Sequence, residues 1–351
     1  MAEVSGLLIY TRPGFEGEAC AEILAKSQAI GITGHVKARE AGGVVMFFPQ
    51  PPEALGFPPG QLRYRDLVFA RQLIFLIDQL ELPAHDRILP ILESLKRQGC
   101  RCSRVFLETA DTNEAKELAS LLRKFERPLV RTLKDQGILQ DGNHPRLHVF
   151  FESGSRALLG LSCLENAAEP AMGIPRLRFP SGAPSRSTLK LDEAFRYFIE
   201  NPEDVLKPGM TAVDLGAAPG GWTFQLVRRH IHTVAVDNGP MADALLESGL
   251  VEHLRVDGFR YRPPRPVDWL VCDMVEQPER VARLVASWLA RGDCQRAIFN
   301  LKLPMKKRWQ MVESCTQLIH EELGRMGMNG RLSFKQLYHD RAEITGYLER
   351  A

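Results

Sequence analysis

The segment Thr211-Ala-Val-Asp-Leu-Gly-Ala-Ala-Pro-Gly-Gly-Trp-Thr223 constrains the fold of this chain more than any other. An apolar strand, Ala212 to Leu215, ends in an Asp and then a glycine loop, and a helix is expected from about Trp222 to His230. Gly216, Gly220 and Gly221 permit backbone conformations closed to other residues and let the main chain approach a ligand closely. The loop is not G-x-G-x-x-G, because Ala217-Ala218-Pro219 interrupts it. Pro219 also removes an N–H that a pyrophosphate would use. A ligand turn is the better reading, with NAD the poorer ligand.

The residues around this loop repeat one arrangement. From Thr188 onward a helix (Lys190 to Glu200) is followed by alternating strands and helices, the order of a doubly wound parallel sheet. The run His232 to Asp237 ends a second strand in a carboxylate, where these folds hold a ribose diol. Leu254-Arg-Val-Asp257 repeats this on a third strand, and Val267 to Asp273 on a fourth. The fifth, Arg296 to Lys302, ends in lysine. A single acid at a strand tip is commonly a helix N-cap. Four in succession favour one shared site.

At 351 residues the chain has room for two or three domains. Its 44% hydrophobic and 25% charged content excludes a disordered or collagenous protein. The most apolar stretch, Leu67 to Leu80, is broken by Arg71 and Asp78, so no membrane span is expected. The N-terminus lacks the features of a signal peptide, and a cytoplasmic location follows. The seven scattered cysteines lack zinc spacing and read as reduced structural thiols, so no metal site is expected.

Residues 1–50 read as a small β-α-β-β unit, closed by the Pro-rich link Pro49 to Pro59. Between 60 and 163 come a β-rich stretch (Leu67 to Leu82), a helix (His85 to Gln98), a strand (Cys102 to Leu107), a helix (Asn113 to Leu122) and a hairpin (Leu147 to Leu161). This half has no phosphate loop and looks like a binding module. Residues 164–187 form a basic, Pro-rich linker, and 188–351 the last domain. The net charge of +2 neither demands nor forbids a polyanionic partner. Local clusters fit RNA better: Arg176, Arg178 and Arg186 in the linker, and Lys306, Lys307 and Arg308 beside Trp309.

The stretch Asp214-Leu-Gly-Ala-Ala-Pro-Gly-Gly-Trp222 resembles the cofactor loop of the FtsJ-like methyltransferases, which use S-adenosylmethionine to modify RNA ribose 2′-hydroxyls. The resemblance implies a Rossmann-like α/β domain. It also implies a Lys-Asp-Lys-Glu tetrad, here Lys190, Asp273, Lys302 and Glu343, with His339 close enough to Glu343 to be the alternative fourth member. The cofactor residues it implies are Ser185, Gly216, Ala218, Pro219, Gly220, Gly221, Trp222, Asp237, Asp257 and Asp273. Over its whole length the chain resembles the RlmM-type bacterial large-subunit rRNA methyltransferases, through Ala183 to Lys190, the loop above and Lys335 to Arg341. That resemblance implies α+β ferredoxin-like and THUMP domains ahead of the catalytic domain. The implied substrate is 23S rRNA, methylated on one cytidine in the peptidyl-transferase region.

A ribose hydroxyl is a poor nucleophile near neutral pH, so a base must take its proton as it attacks. A lysine serves only where desolvation or cationic neighbours favour the free amine. Lys302, with Lys190 as the neighbouring cation, is the chosen base, and Asp273 and Glu343 orient the two amines. Two other readings compete. An rRNA-binding assembly protein that has lost its chemistry is disfavoured by the complete tetrad, and a nicotinamide dehydrogenase by the interrupted loop.

Overall fold

The computed structural model describes residues 3–56, 60, 62–112 and 114–351. They form two compact units, 1–174 and 175–351.

In the first unit the strands are β1 (Gly6–Tyr10), β2 (Thr33–Ala38), β3 (Val44–Gln50), β4 (Gln72–Glu81), β5 (Arg104–Thr109), β6 (Arg146–Ser153) and β7 (Arg156–Ser162). The helices are α1 (Glu16–Ala29), α2 (Ile88–Arg97) and α3 (Leu118–Asp135). All seven strands share one sheet, in the order β2-β3-β1-β4-β7-β6-β5. The sheet therefore runs through the Pro-rich link at which the sequence suggests a boundary; Phe57 to Pro59 of that link lie outside the described residues. The physical reason is β4. Its first half pairs with β1 and its second half with β7, with a register shift between Leu76 and Asp78. Six consecutive buried residues at its start mark a strand covered on both faces. Buried Glu22 of α1 ties the approach to β4 down, accepting the N–H groups of Val68 and Phe69 at 2.5 and 2.9 Å.

The helix expected over Asn113 to Leu122 runs instead to Asp135; Asn113 itself lies outside the described residues. Leu122, Leu129 and Leu133 keep one face of α3 buried past Pro128. They pack against Leu147, Val149, Phe151 and Leu159 of the hairpin.

The second unit contains α4 (Thr188–Phe198), α5 (Pro202–Val205), β8 (Thr211–Leu215), α6 (Gly221–Val227), β9 (His232–Val236), α7 (Asp243–Leu246), β10 (Val251–Leu254) and β11 (Val267–Cys272). It continues with α8 (Pro278–Arg291), β12 (Cys294–Lys302), α9 (Arg308–Arg325), β13 (Gly330–Lys335) and β14 (Glu343–Arg350). The sheet order is β10-β9-β8-β11-β12-β14-β13, parallel from β10 to β12, with β14 inserted antiparallel beside β12. The chain starts in the middle at β8, winds outward through β9 and β10, then returns to β11 and β12 on the other side. That reversal leaves a crevice at the carboxyl ends of β8 and β11, the place where open α/β sheets bind ligands. The core beneath is aromatic, with Phe195 edge-on to fully buried Trp269.

The four acids are not equivalent strand tips. Asp237 and Asp273 directly follow β9 and β11, whereas Asp214 lies inside β8 and is fully buried. Asp257 lies beyond the end of β10 and is exposed. Among the described residues no helix is long and apolar enough to cross a membrane.

Candidate active site

Register brings the tetrad together. Lys302, the last residue of β12, lies directly opposite Glu343, the first residue of β14, and Asp273 follows the neighbouring β11. Helix α4 supplies Lys190 from its first turn. Lys302 Nζ donates to Asp273 Oδ1 at 2.5 Å and lies 4.0 Å from Glu343 Oε1. Lys190 Nζ is bonded to Glu343 Oε1 and lies 3.7 Å from Asp273 Oδ2. Amines and carboxylates therefore alternate around a closed ring.

Burial and charge shape the ring. Burial opposes the charge on Lys190, but Asp273 and Glu343 outweigh it and raise its pKa. Burial likewise raises the Glu343 carboxyl, and the hydrogen bond and charge of Lys190 pull it below the ordinary value. These two hold each other ionised. His339, the alternative fourth member, is turned away: its Nδ1 and its backbone N–H both meet Glu193 Oε2, at 2.6 and 2.9 Å.

The glycine loop joins β8 to α6. Gly216 has φ +80°, and a Cβ there would lie 2.9 Å from the Met274 side chain, beside Asp273. Gly220 has φ +112°, and a Cβ would lie 2.2 Å from Leu245. Both positions exclude a side chain, so the main chain itself lines the crevice. Asp237 braces the loop, accepting the Ala218 N–H at 3.0 Å and the Gly239 N–H at 2.7 Å. Each of its oxygens keeps acceptor capacity for a ribose hydroxyl. Ser185 Oγ bonds Ser187 Oγ at 2.6 Å, and both hydroxyls lie over Gly221. The Trp222 ring instead belongs to the hydrophobic core with Leu191, Phe195 and Leu226. Asp257 accepts the Phe259 N–H at 2.9 Å on the exposed segment after β10.

Asp214, one of the four strand acids but given no individual role by the sequence, has a distinctive place. Its Oδ2 accepts the Thr223 hydroxyl at 2.6 Å, while its buried Oδ1 has no hydrogen-bond partner among the described residues. Burial, opposed by the Thr223 hydrogen bond and reinforced by Asp273, pushes its pKa up to about 7.

Known proteins match this chain along its length. Family models match residues 4–74 as an RlmM ferredoxin-like domain, 86–163 as the N-terminal part of ribosomal RNA large subunit methyltransferase M, and 183–314 as an FtsJ-like methyltransferase. The ribosomal RNA large subunit methyltransferase M of Methylococcus capsulatus is 57% identical over 351 residues, 99% of each chain. Those of Cellvibrio japonicus and Stutzerimonas stutzeri are each 48% identical, over 97% and 98% of this chain and 98% and 99% of theirs. This chain belongs to the ribosomal RNA large subunit methyltransferase M family. The ferredoxin-like match extends to residue 74, past the Pro-rich link and into β4.

In this member of the methyltransferase M family the mouth of the tetrad is apolar as well as charged. Val275, two residues after Asp273, is 89% exposed, and Met305, three residues after Lys302, is 90% exposed. A cavity of about 460 Å³ runs past Val275, Pro278, Lys302, Pro304 and Met311. Lys306 and Lys307 continue from this rim as exposed cations, and Arg308 donates to the Pro304 carbonyl at 3.1 Å. Arg176, Arg178 and Arg186 are also exposed, with half-exposed Phe179 between them.

Sequence reasoning missed Asn300, Thr345 and Asp340 as well. Asn300 and Thr345 stand opposite one another, two residues from Lys302 and Glu343 on the same two strands. Since strand side chains repeat every second residue on one face, that spacing was a usable signal.

Proposed function

We propose that this chain uses S-adenosylmethionine to methylate the 2′-hydroxyl of a cytidine in the peptidyl-transferase region of 23S rRNA, in the cytoplasm. The ring of Lys190, Asp273, Lys302 and Glu343 at the carboxyl ends of β11 and β12 carries this reading. Gly216, Ala218, Pro219, Gly220, Gly221 and the Trp222 backbone would cradle the cofactor, with Ser185 beside the loop. Asp237 would hold its ribose, Asp257 its exposed rim, and Asp214 its amino group. Bound there, the cofactor supplies a sulfonium methyl as electrophile.

Lys302 takes the hydroxyl proton. Its side chain is 24% exposed against 14% for Lys190, so an incoming hydroxyl reaches it first. Lys190, held charged by Asp273 and Glu343, stabilises the alkoxide that develops on the ribose oxygen. Asp273 fixes the angle of the Lys302 amine, which supplies the proximity term. Val275 and Met305 offer apolar faces to an unpaired base, and the neighbouring cations meet its phosphates.

Residues 188–351 then form the catalytic domain and 164–187 a basic linker. In the first unit, the ferredoxin-like part and the THUMP-like part over 60–163 select the rRNA. Mapping 2′-O-methyl groups on rRNA from cells lacking the protein tests the proposal: one cytidine in the peptidyl-transferase region should lose its methyl, and the purified protein with S-adenosylmethionine should restore it. Binding of the same rRNA without transfer would mark a non-catalytic assembly factor instead.

A further inference from the structure

One step behind Lys302 and Glu343 the sheet carries a second polar layer. Asn300, Thr345 and Asp340 are all completely buried. Asn300 Nδ2 donates to Asp273 Oδ1 at 2.9 Å, the same oxygen that receives Lys302. Thr345 Oγ1 lies 2.8 Å from Asn300 Oδ1, and 3.2 and 3.0 Å from the two oxygens of Asp340. The Leu337 N–H donates to Asp340 Oδ2 at 2.9 Å.

Counting donors fixes the direction of every bond. The Asp273 carboxylate only accepts, so Asn300 turns its NH₂ towards it and its carbonyl towards Thr345. The single hydroxyl proton of Thr345 goes to that carbonyl. Nothing on Thr345 is left for Asp340, so their contact is a hydrogen bond only when Asp340 supplies the proton. With Oδ2 taken by Leu337, that proton sits on Oδ1. An ionised Asp340 would draw the Thr345 proton to itself and orphan the Asn300 carbonyl in a fully buried layer.

We propose that Asp340 carries a proton at neutral pH and that the one-way chain from Asp340 through Thr345 and Asn300 positions Asp273, and through it the Lys302 amine, for proton abstraction. This rests on Lys302 being the base. The surroundings agree. Burial holds the Asp340 carboxyl well above the ordinary carboxylate range, and the charges of Glu343 on β14 and Glu193 on α4 push the same way. Lys190 on α4 pulls against them, and His339, next to Asp340 in the turn, is engaged with Glu193.

Full-length Asp340→Asn and Thr345→Val test this. An Asn at 340 can donate its NH₂ to Thr345 and accept from Leu337, so single-turnover methyl transfer to rRNA should fall far less than when the chain is broken at Thr345. Wild type should lose rate as Asp340 ionises at alkaline pH, and Asp340→Asn should not. Thr345→Val breaks the chain and should slow transfer by about 10- to 100-fold, the loss typical of removing a group that orients a metal ligand, with cofactor affinity near wild type and a lowered melting temperature, because Asn300 and Asp340 are left unpaired in the core. Equal losses in both variants would overturn the proposal. Two readouts need no turnover. The wild-type-minus-Asp340→Asn infrared difference spectrum should show the C=O stretch of a protonated carboxyl at pH 7, and the NMR titration of Lys302 should shift in Thr345→Val alone. Absence of either overturns the chain, whereas a protein that passes both yet methylates no rRNA overturns only the functional reading.

Discussion

Lys302 and Lys190 are both lysines facing the same two carboxylates, yet their surroundings divide the labour. Lys190 is locked between Glu343 and Asp273, and Lys302 lines the open cavity with Val275, Pro304 and Met311. Lys302→Ala should lower methyl transfer by about 10²- to 10⁴-fold, the range for a lost general base, with cofactor and rRNA affinities nearly unchanged. Lys302→Arg should not rescue it, because a guanidinium keeps its proton at any workable pH. Near wild-type single turnover by the arginine variant would make Lys302 an electrostatic residue.

Asp214 gives a separate test at the same scale. Its folded pKa of about 7 lies above its ordinary value of 3.8. The folded chain therefore binds the proton more tightly than the unfolded chain between those values. Stability falls as pH rises from about 4 to 7 and stays lowered above, by a few kcal/mol for a shift of this order. Asp214→Asn should accordingly raise the urea midpoint of the unliganded protein at pH 8, with the gain shrinking towards pH 5. A gain independent of pH would mean that the buried charge is not its source.

At the scale of elements, the site depends on how β14 lies against β12. Gly346 stands opposite Phe299, and a Cβ at Gly346 would approach that ring to 2.5 Å. The ring is held edge-on to Phe334, with centroids 5.8 Å apart, and cannot withdraw freely. Gly346→Ala should therefore destabilise the protein by about 1–3 kcal/mol through overpacking. It should also move Glu343 off Lys190 and slow methyl transfer, both measurable on one preparation by urea unfolding and single turnover.

The elements also show what could be read in advance. The glycine loop, Asp237, Asp273 and Lys302 were legible because each lies in or beside the end of a short apolar run, and the tetrad partners came from the resemblance. Glu343 and His339 could not be separated, since both lie near one tight turn and only the packing of Glu193 decides which way each points. Asn300 and Thr345 carried one mark, the two-residue spacing from Lys302 and Glu343, while their importance comes from cross-strand register. The continuous first sheet was illegible because pairing between distant strands leaves no local mark.

The whole molecule separates chemistry from the remainder. Every tetrad and glycine-loop residue belongs to the unit spanning 175–351, which has its own sheet and core. Expressed alone, that unit should fold and bind S-adenosylmethionine in a calorimeter, yet transfer no methyl group to rRNA. Full activity of the isolated unit would remove the first unit from substrate selection.

The shared strand β4 also bears on how the chain emerges from a ribosome. Synthesis delivers β1, α1, β2 and β3 first, and these can pair as β2-β3-β1. The far edge of β1 then stays open until β4, ending at Glu81, has been made, and the other edge of β4 stays open until β7, ending at Ser162. Bare strand edges recruit neighbouring chains. At about 5–20 residues per second, the nascent chain carries such an edge for several seconds, a window in which it is open to pairing with a neighbouring chain.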